Sequence, residues 1–281
     1  MIIHSDWHIH TDSSYDAHLP LETLIKRAGE QDLRGFGVTD HANFNDPPFL
    51  SDLKNSAESV KRLQHTCPTM VAGVELTPIA KPHFDYIAKN GTREGFILPD
   101  DRLYPIELAV TKDELRALGI RYAVCAAHWR LDPIHSKENP MDMDSTVREW
   151  HRHQMWMACD ERTTILGHPW YHGRSLWYED FSVIPASMHH EFAAALKENH
   201  KFAECNVHFF VAETAGDKFR HQYAEFLRYL FESGVRITYG SDCHGGTEHD
   251  YPDVRAKAEY YLEKAGFKDG DFSDLTEADL W

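Results

Sequence analysis

Short apolar segments alternate along the chain with longer segments of helical period. In the first of them, residues 3–10, odd-numbered residues would face one side of a strand and even-numbered residues, which include His4, His8 and His10, the other. Seven such segments are predicted to be strands: 3–10, 35–41, 69–75, 121–128, 163–168, 201–206 and 235–242. A helix is predicted after each strand, in a segment that begins at Pro20 and in 51–64, 111–118, 144–160, 185–200, 217–233 and 252–265.

This repeated order of strand and helix predicts a parallel α/β fold, because each unit is long enough for a crossover between parallel strands. Two stretches interrupt it: 78–106, which holds four prolines and a short strand-like segment at 86–88, and 129–143, which we expect to be a surface excursion. At 281 residues, one closed barrel or two smaller domains are both possible. No linker rich in Gly, Ser or Pro divides the chain, which favours a single domain over 1–281.

Every predicted strand ends on a side chain that can bind a metal ion. In order, these residues are His8 and His10, Asp40 and His41, Glu75, His128, His168, Asn206, and Asp242 with His244. In parallel barrels the loops after the strands build the site at one face, so these distant residues would converge there. Each of them alone could be a surface or hydrogen-bonding residue, but their joint occurrence favours a metal site. Imidazoles and carboxylates suit zinc, iron or manganese, and the strand ends carry no cysteine for a closed structural zinc site.

Other histidines among the 20 in the chain do not fit this pattern. His151 and His153 lie in a predicted helix with two tryptophans, and His189 and His190 are adjacent in another helix. We predict that these four residues lie at the surface or in the packing between elements.

Composition and charge exclude several classes of protein. The chain is 42% hydrophobic and 26% charged, as is usual for globular proteins. Its 29 Lys and Arg against 45 Asp and Glu give a net charge of −16, which argues against nucleic-acid binding through phosphate neutralisation. No apolar run is long enough to cross a membrane, and the first residues lack the pattern of a signal peptide. The five cysteines form no Cys-x-x-Cys pair, so we predict reduced thiols and a cytoplasmic location, and leave the oligomeric state open.

The order of these motifs resembles the PHP superfamily, named for polymerase and histidinol phosphatase. The matching segments are His8-Ile9-His10-Thr11 with Asp16, Val38-Thr39-Asp40-His41, Gly73-Val74-Glu75, Ala127-His128, Leu166-Gly167-His168-Pro169, Glu204-Cys205-Asn206 and Gly240-Ser241-Asp242-Cys243-His244. The resemblance spans nearly the whole chain. It implies a distorted (β/α)7 barrel, similar to a TIM barrel, with three metal ions in a deep pocket.

The resemblance also implies a ligand set for three divalent transition-metal ions, which could be Zn, Mn or Fe. The first ion would take His8, His10, Glu75 and Asp242. Glu75 would bridge to a second ion held by His128 and His168, and the third would take Asp16, His41 and His244, with His18 as the alternative to Asp16. Arg130 and Arg174 are placed to reach a phosphate from the rim.

The resemblance predicts a phosphoric monoester hydrolase, similar to histidinol phosphatase, that acts on a small phosphorylated metabolite through a hydroxide bridging two ions. Two alternatives stay open: an amidohydrolase acting on an amide or lactone, and a metal-binding domain without catalysis. Amidohydrolases usually place a lysine or similar bridging group at a middle strand, where this chain has Glu75. After Asn206 the chain lacks the glycine and basic residues usual in histidinol phosphatases, which weakens the assignment to that substrate.

Overall fold

A computed structural model describes residues 2–96, 103–128, 143–170, 180–212, 215–245 and 253–281. Its centre is a sheet of seven parallel strands in the order β1-β2-β3-β6-β7-β8-β9. The nine strands of the described residues are β1 Ser5–Ile9, β2 Gly35–Val38, β3 Met70–Leu76, β4 Ile79–Ala80, β5 Ile106–Glu107, β6 Tyr122–Cys125, β7 Ile165–Leu166, β8 Phe202–Asn206 and β9 Arg236–Gly240.

The helices of the described residues lie around this sheet. They are α1 Leu21–Glu30, α2 Pro47–Leu63, α3 Lys81–Asn90, α4 Lys112–Leu118, α5 Met143–Cys159, α6 Ala186–Glu198, α7 His208–Val211, α8 Asp217–Glu232 and α9 Asp253–Lys264, with a short 3₁₀ helix at Phe181–Val183. None of them is long and apolar enough to cross a membrane within the described ranges.

The sheet closes where its first and last strands meet. The amide of Asp242 donates to the carbonyl of His8 at 2.7 Å, and the amide of His10 donates to the carbonyl of Cys243 at 3.1 Å. The predicted (β/α)7 barrel is therefore confirmed. All seven predicted strands are present, although hydrogen-bonded pairing is shorter than predicted, most clearly at β7, which has two residues.

The interruption at 78–106 contains more structure than the sequence predicts. The short strands β4 and β5 pair in antiparallel fashion, and α3 lies between them. The predicted strand-like segment at 86–88 is wrong, because these residues lie inside α3, where Ile87 is buried. Pro82 fits the first turn of that helix, and Gly91, with a φ of 68°, ends it. Of the other predicted excursion, 129–143, all but the last residue lies outside the described residues.

A bulge in β1 overturns the strict alternation predicted for this strand. Trp7 packs in the barrel interior with Tyr122 and Phe202, whereas Ile9, two residues on, packs on the outer side against α1. The register of β1 against β2 shifts between Asp6 and Ile9. A bulge of this kind turns the following side chains over, so Trp7 and His8 both point inward. The Asp6 carboxylate accepts from the displaced amides of His8 at 3.3 Å and Ser241 at 3.0 Å.

Tyr122 is a large side chain in the barrel interior, below the strand ends. Tyr122 lies across the neighbouring strands, and its hydroxyl donates to the carbonyl of Trp7 at 2.8 Å. Gly37 and Gly73 make room for it, because a Cβ at Gly37 would lie 1.8 Å from the Tyr122 hydroxyl oxygen and one at Gly73 2.5 Å from the ring. The glycines of β2 and β3 thus allow this packing.

We expect Gly37→Ala to lower the free energy of unfolding by about 1–3 kcal/mol, because the new methyl group would overpack the interior. Gly29→Ala is the matched control: Gly29 lies on the exposed side of helix α1, and a Cβ there meets nothing within 4 Å. That control should raise the free energy by about 0.5–1 kcal/mol through the backbone. Urea unfolding measures the free energy of unfolding of both variants. Equal changes in Gly37→Ala and Gly29→Ala would contradict the proposed overpacking at Gly37.

Candidate metal centre

The structure brings all nine predicted ligands together at the C-terminal ends of the strands. Their nitrogen and carboxylate atoms form three neighbouring donor groups: His8, His10, Glu75 and Asp242; Glu75, His128 and His168; and His10, His41 and His244, beside which lies Asp16. Whether each of them binds an ion stays a prediction.

The first donor group is the most compact. The Nε2 atoms of His8 and His10 are 3.1 Å apart. The Asp242 Oδ1 atom lies 3.4 Å from the first nitrogen and 3.2 Å from the second. Glu75 Oε1 is 3.5 Å from His8 Nε2. A tetrahedral zinc with bonds of about 2.0–2.1 Å holds its ligands about 3.3 Å apart, so these distances fit one ion.

Glu75 is shared by the donor groups. Its Oε1 atom lies 3.3 Å from Nε2 of both His128 and His168. Its Oε2 atom lies 2.8 Å from Nδ1 of His41 and 3.5 Å from Nε2 of His10. The carboxylate is fully buried at the end of β3, so its two oxygens have no solvent to satisfy them. A carboxylate in this position could bridge ions in adjacent groups.

In the third group, Asp16 rather than His18 lies beside the histidines. Asp16 Oδ1 is 3.4 Å from His41 Nε2 and 3.6 Å from His244 Nε2, and these two nitrogens are 3.4 Å apart. The His18 side chain is exposed and belongs to none of the three groups. Of the two candidates that the sequence left open, the geometry favours Asp16.

Neighbouring acceptors hold the histidines with Nε2 facing the centre. His8 Nδ1 lies 2.7 Å from a Glu204 oxygen, and His244 Nδ1 lies 2.8 Å from the Asp242 carbonyl. His10 Nδ1 lies 3.2 Å from Ser14 Oγ, whose own hydrogen goes to Asp40. An acceptor at Nδ1 fixes the proton there and leaves a lone pair on Nε2 for an ion.

His128 is oriented in the same way. Its Nδ1 is 2.7 Å from Thr77 Oγ1, and that hydroxyl donates its hydrogen to Asn43 at 2.6 Å. The His128 nitrogen is therefore the donor, and Nε2 again carries the lone pair toward Glu75. The donor atoms and their supports fit divalent ions that accept nitrogen and oxygen ligands.

Charges within the site move the pKa values of its histidines in opposite directions. Burial would lower the pKa of His41, but the charges of Glu75 and Asp16 raise it to about 10. Burial would also lower the pKa of His8, which Glu204, Asp242 and Glu75 raise well above its usual value. For His128, burial prevails and lowers the pKa to about 3. Protons and metal ions would therefore compete most strongly at His41 and His8.

Two residues singled out at strand ends, Asp40 and Asn206, and a third from a matching motif, Glu204, support the site rather than supply a donor. Asp40 points away from it and accepts from the Thr11 amide at 2.7 Å and the Ser56 hydroxyl at 2.6 Å. Asn206 donates from Nδ2 toward Glu204 at 3.2 Å and toward Asp242 at 3.3 Å. The motif Glu204-Cys205-Asn206 was the only sequence signal for Glu204, which also accepts from the His168 amide at 2.5 Å.

Two residues near the site had no sequence signal in their favour. His208, in α7, places Nε2 3.5 Å from Asp242 Oδ2. The ring of Tyr15 lies 5.5 Å from that of His41, and burial and Asp16 raise the pKa of its hydroxyl to about 12. Arg130 and Arg174, predicted to reach a phosphate, lie outside the described residues.

The histidines predicted to lie at the surface or in packing do so. His153 is fully buried in α5, 3.7 Å from the equally buried Glu149. His190 is exposed and hydrogen-bonds to the Tyr229 hydroxyl. None of the four that we assigned to this class belongs to a donor group.

A parallel (β/α)7 barrel with this donor set at its strand ends defines a metal-binding class of α/β protein. The family model of the PHP domain matches residues 6–269. This chain therefore belongs to the PHP domain family, as its motifs predicted. A search of curated proteins finds no match.

The solved structures that resemble this chain have low sequence identity to it. Histidinol phosphate phosphatase HisK from Lactococcus lactis, solved with zinc, L-histidinol and phosphate, has a TM-score of 0.66 at 16% identity, and the alignment covers 100% of this chain and 99% of that chain. The metal-dependent tyrosine phosphatases YwqE from Bacillus subtilis and CpsB from Streptococcus pneumoniae give a TM-score of 0.46 at 13% identity, covering 94% and 87%. A Xaa-Pro dipeptidase with bound methionine gives 0.43 at 13% identity, covering 94% and 70%.

Proposed function

We propose that this protein is a metal-dependent phosphoesterase that hydrolyses a small phosphomonoester at a site of three divalent ions. The observation that carries the proposal is the position of Glu75, whose two oxygens reach histidines of all three donor groups. Membership of the PHP family and the fold shared with a histidinol phosphate phosphatase support it.

Three ions would be held by the residues of the three groups. His8, His10, Glu75 and Asp242 would hold the first, Glu75, His128 and His168 the second, and Asp16, His41 and His244 the third. When bound, such ions supply Lewis acidity and an activated water for attack on phosphorus. The chain itself supplies burial, because Glu75, His10 and His8 are at most 1% exposed.

The charge of the loaded site favours an anionic substrate. Three divalent ions would bring six positive charges, and Asp16, Glu75 and Asp242 would return three negative ones. Glu204, in contact with His8, lowers the sum further, to about +2. A phosphomonoester dianion complements this excess, whereas an amide or lactone carries no charge to match it.

The chain also orients the reacting groups. Glu204, Ser14 and Thr77 hold the Nδ1 sides of three histidines, so the ions would be fixed before substrate arrives. The high pKa of Tyr15 keeps its hydroxyl protonated at neutral pH. Its hydrogen bond with Asp16 would hold that carboxylate in place at the third donor group.

Metal analysis and a substrate screen test the proposal together. Protein loaded with manganese, zinc or iron should hold two to three ions per chain, hydrolyse phosphomonoesters, and be inhibited competitively by inorganic phosphate. Phosphate should compete because its oxygens occupy the position of the substrate phosphoryl group. Protein without bound metal, or hydrolysis of amides or lactones with no inhibition by phosphate, would overturn the proposal, and the second result would support an amidohydrolase.

A further inference from the structure

The guanidinium group of an exposed arginine packs against two buried aromatic rings beside the mouth of the site. The guanidinium carbon of Arg93 lies 5.0 Å from the centre of the Phe44 ring and 4.8 Å from that of Phe49. Both rings are buried, and Arg93 itself is exposed. Contacts of a guanidinium with ring faces restrict its orientation while leaving its N–H groups free to bind.

A continuous line of rings joins Arg93 to the donor atoms. The Phe49 ring lies 5.6 Å from that of Tyr15, which lies 5.5 Å from that of His41. Tyr15 and His41 lie on the loops after β1 and β2, and Phe49 lies in the first turn of α2. Arg93 lies on the loop after α3, beyond the end of β3. All of these loops open at the C-terminal face of the barrel, where the substrate must enter. Tyr15 is 58% exposed, so this line follows the rim of the opening.

The charge of Arg93 is not balanced by a carboxylate of the described chain. Arg162, Arg228 and Arg236 each form an ion pair of 3.1 Å or less with an aspartate. Arg93 forms no such pair within the described residues, including Asp16 at the site. An exposed arginine held by rings, with no carboxylate partner among the described residues, is suited to an oxyanion ligand, which its fork can bind through two hydrogen bonds.

We propose that Arg93 binds a second anionic group on the substrate, a carboxylate or a second phosphate carried by the alcohol part of the phosphomonoester. This inference rests on the proposed phosphoesterase function. The reacting phosphoryl group would be bound at the three donor groups, and two rings, Tyr15 and Phe49, separate Arg93 from them. The group that reaches Arg93 therefore lies beyond the reacting phosphate. The same charge disfavours an alcohol part that carries an amine.

Matched aryl phosphates test this preference. Two of these compounds carry a second anion: para-carboxyphenyl phosphate has a carboxylate, and para-phenylene bisphosphate has a second phosphate. Para-carbamoylphenyl phosphate is the matched compound with a neutral group, and para-aminomethylphenyl phosphate is the matched compound with a cationic group. We expect Arg93→Ala to raise KM for the preferred anionic compound by about 10- to 100-fold, the effect of losing a charged hydrogen-bond partner. KM for the neutral compound and kcat should not change, and Arg93→Lys should restore only part of the loss.

Arg116→Ala is the control, because Arg116 is also exposed but lies on α4 and faces Asp113 at 3.9 Å. It should leave all four KM values unchanged. Binding of the corresponding aryl phosphonates, measured by calorimetry on the metal-loaded protein, gives a readout that needs no hydrolysis. There too, Arg93→Ala should weaken the binding of only the compounds with a second anion. The second anion, carboxylate or phosphate, whose compound loses more affinity is the group that Arg93 binds.

The outcomes separate this inference from the proposed function. If the wild-type protein neither hydrolyses the phosphates nor binds the phosphonates, the phosphoesterase proposal fails. If it does both and Arg93→Ala leaves the preference among the compounds unchanged, the inference about Arg93 is overturned and the proposed function stands. An equal loss for anionic and neutral compounds would mean that Arg93 contacts the reacting phosphate, which also overturns the second-anion assignment.

Discussion

Glu75→Gln is expected to remove bound metal and catalytic activity together. The substitution keeps the shape of the side chain but replaces an anionic oxygen that lies 3.3 Å from both His128 and His168. It also removes the charge that His8, His10 and His41 face. Changes to residues that only support a metal ligand cost about 10–100-fold, so the loss of a shared ligand should reduce kcat/KM by more than about 100-fold.

The measurement is metal content beside phosphatase activity, with His190→Ala as the control. His190 is exposed on α6 and far from the donor groups in the barrel, so its loss should leave both quantities unchanged. His153 is unsuitable as a control because it is fully buried next to Glu149. Normal metal content and activity in Glu75→Gln would contradict the shared-ligand role.

The sequence predicts the positions of the donor residues well because two simple rules apply to them. Period and length locate the strands, and the parallel barrel places all their C-terminal ends at one face. Glu75 and His168, which are far apart in sequence, therefore come together without any knowledge of their side-chain contacts. Asp16 is the exception, since it follows β1 by several residues. Only the fold of that loop decides that Asp16, and not His18, lies beside His41.

Period alone could not predict the bulge of β1, because it depends on a contact between the first and last strands. Asp6 accepts the amide of Ser241, a residue at the other end of the chain, and so stabilises the shifted register. The segment 86–88 was assigned wrongly for a similar reason. A short apolar run does not distinguish a strand from one turn of a helix, and here the packing of Ile87 under β4 and β5 decides.

The groups that orient the histidines are also hidden from sequence reasoning. Glu204 belongs to β8 and Thr77 follows β3, and neither is near its histidine in the chain. Their roles depend on contacts between side chains of different strands and loops, which only the folded barrel brings together. The position of Arg93 depends in the same way on long-range packing, because the segment after β3 must pack against Phe44 and Phe49.

Removal of the metal ions is expected to make the stability of the protein fall as the pH rises above 6.5. In chelator-treated protein, Glu75 and Asp16 outweigh burial and raise the pKa of His41 from 6.5 to about 10. The native state then holds a proton that the unfolded state releases. This contribution to stability is fully present below pH 6.5 and is lost as the pH rises through 10. His8, whose pKa is also raised, acts in the same direction.

Groups with lowered pKa values act in other pH windows. His128, with a pKa near 3, destabilises the native state only below pH 6.5, where the unfolded chain takes up the proton. Burial would raise the pKa of Asp16, but its hydrogen bond to His41 lowers it to about 2. The Asp16 contribution is therefore present above pH 3.8 and lost as the pH falls through about 2. Neither residue masks the effect of His41 above pH 6.5.

In the loaded protein the same histidine nitrogens would bind ions and need no proton. Its stability should therefore stay level above pH 6.5 and fall on acidification, as protons displace the ions. Urea unfolding from pH 6.5 to about 7.5, below the pKa of about 8.5 at which unfolded cysteines ionise, compares the two forms. The chelated protein should lose about 1.4 kcal/mol per pH unit for each extra proton that its native state holds. In Glu75→Gln, the fall of stability with pH should be smaller, because Glu75 is the main charge that raises the pKa of His41. A chelated protein whose stability does not fall with rising pH would contradict this account of the site.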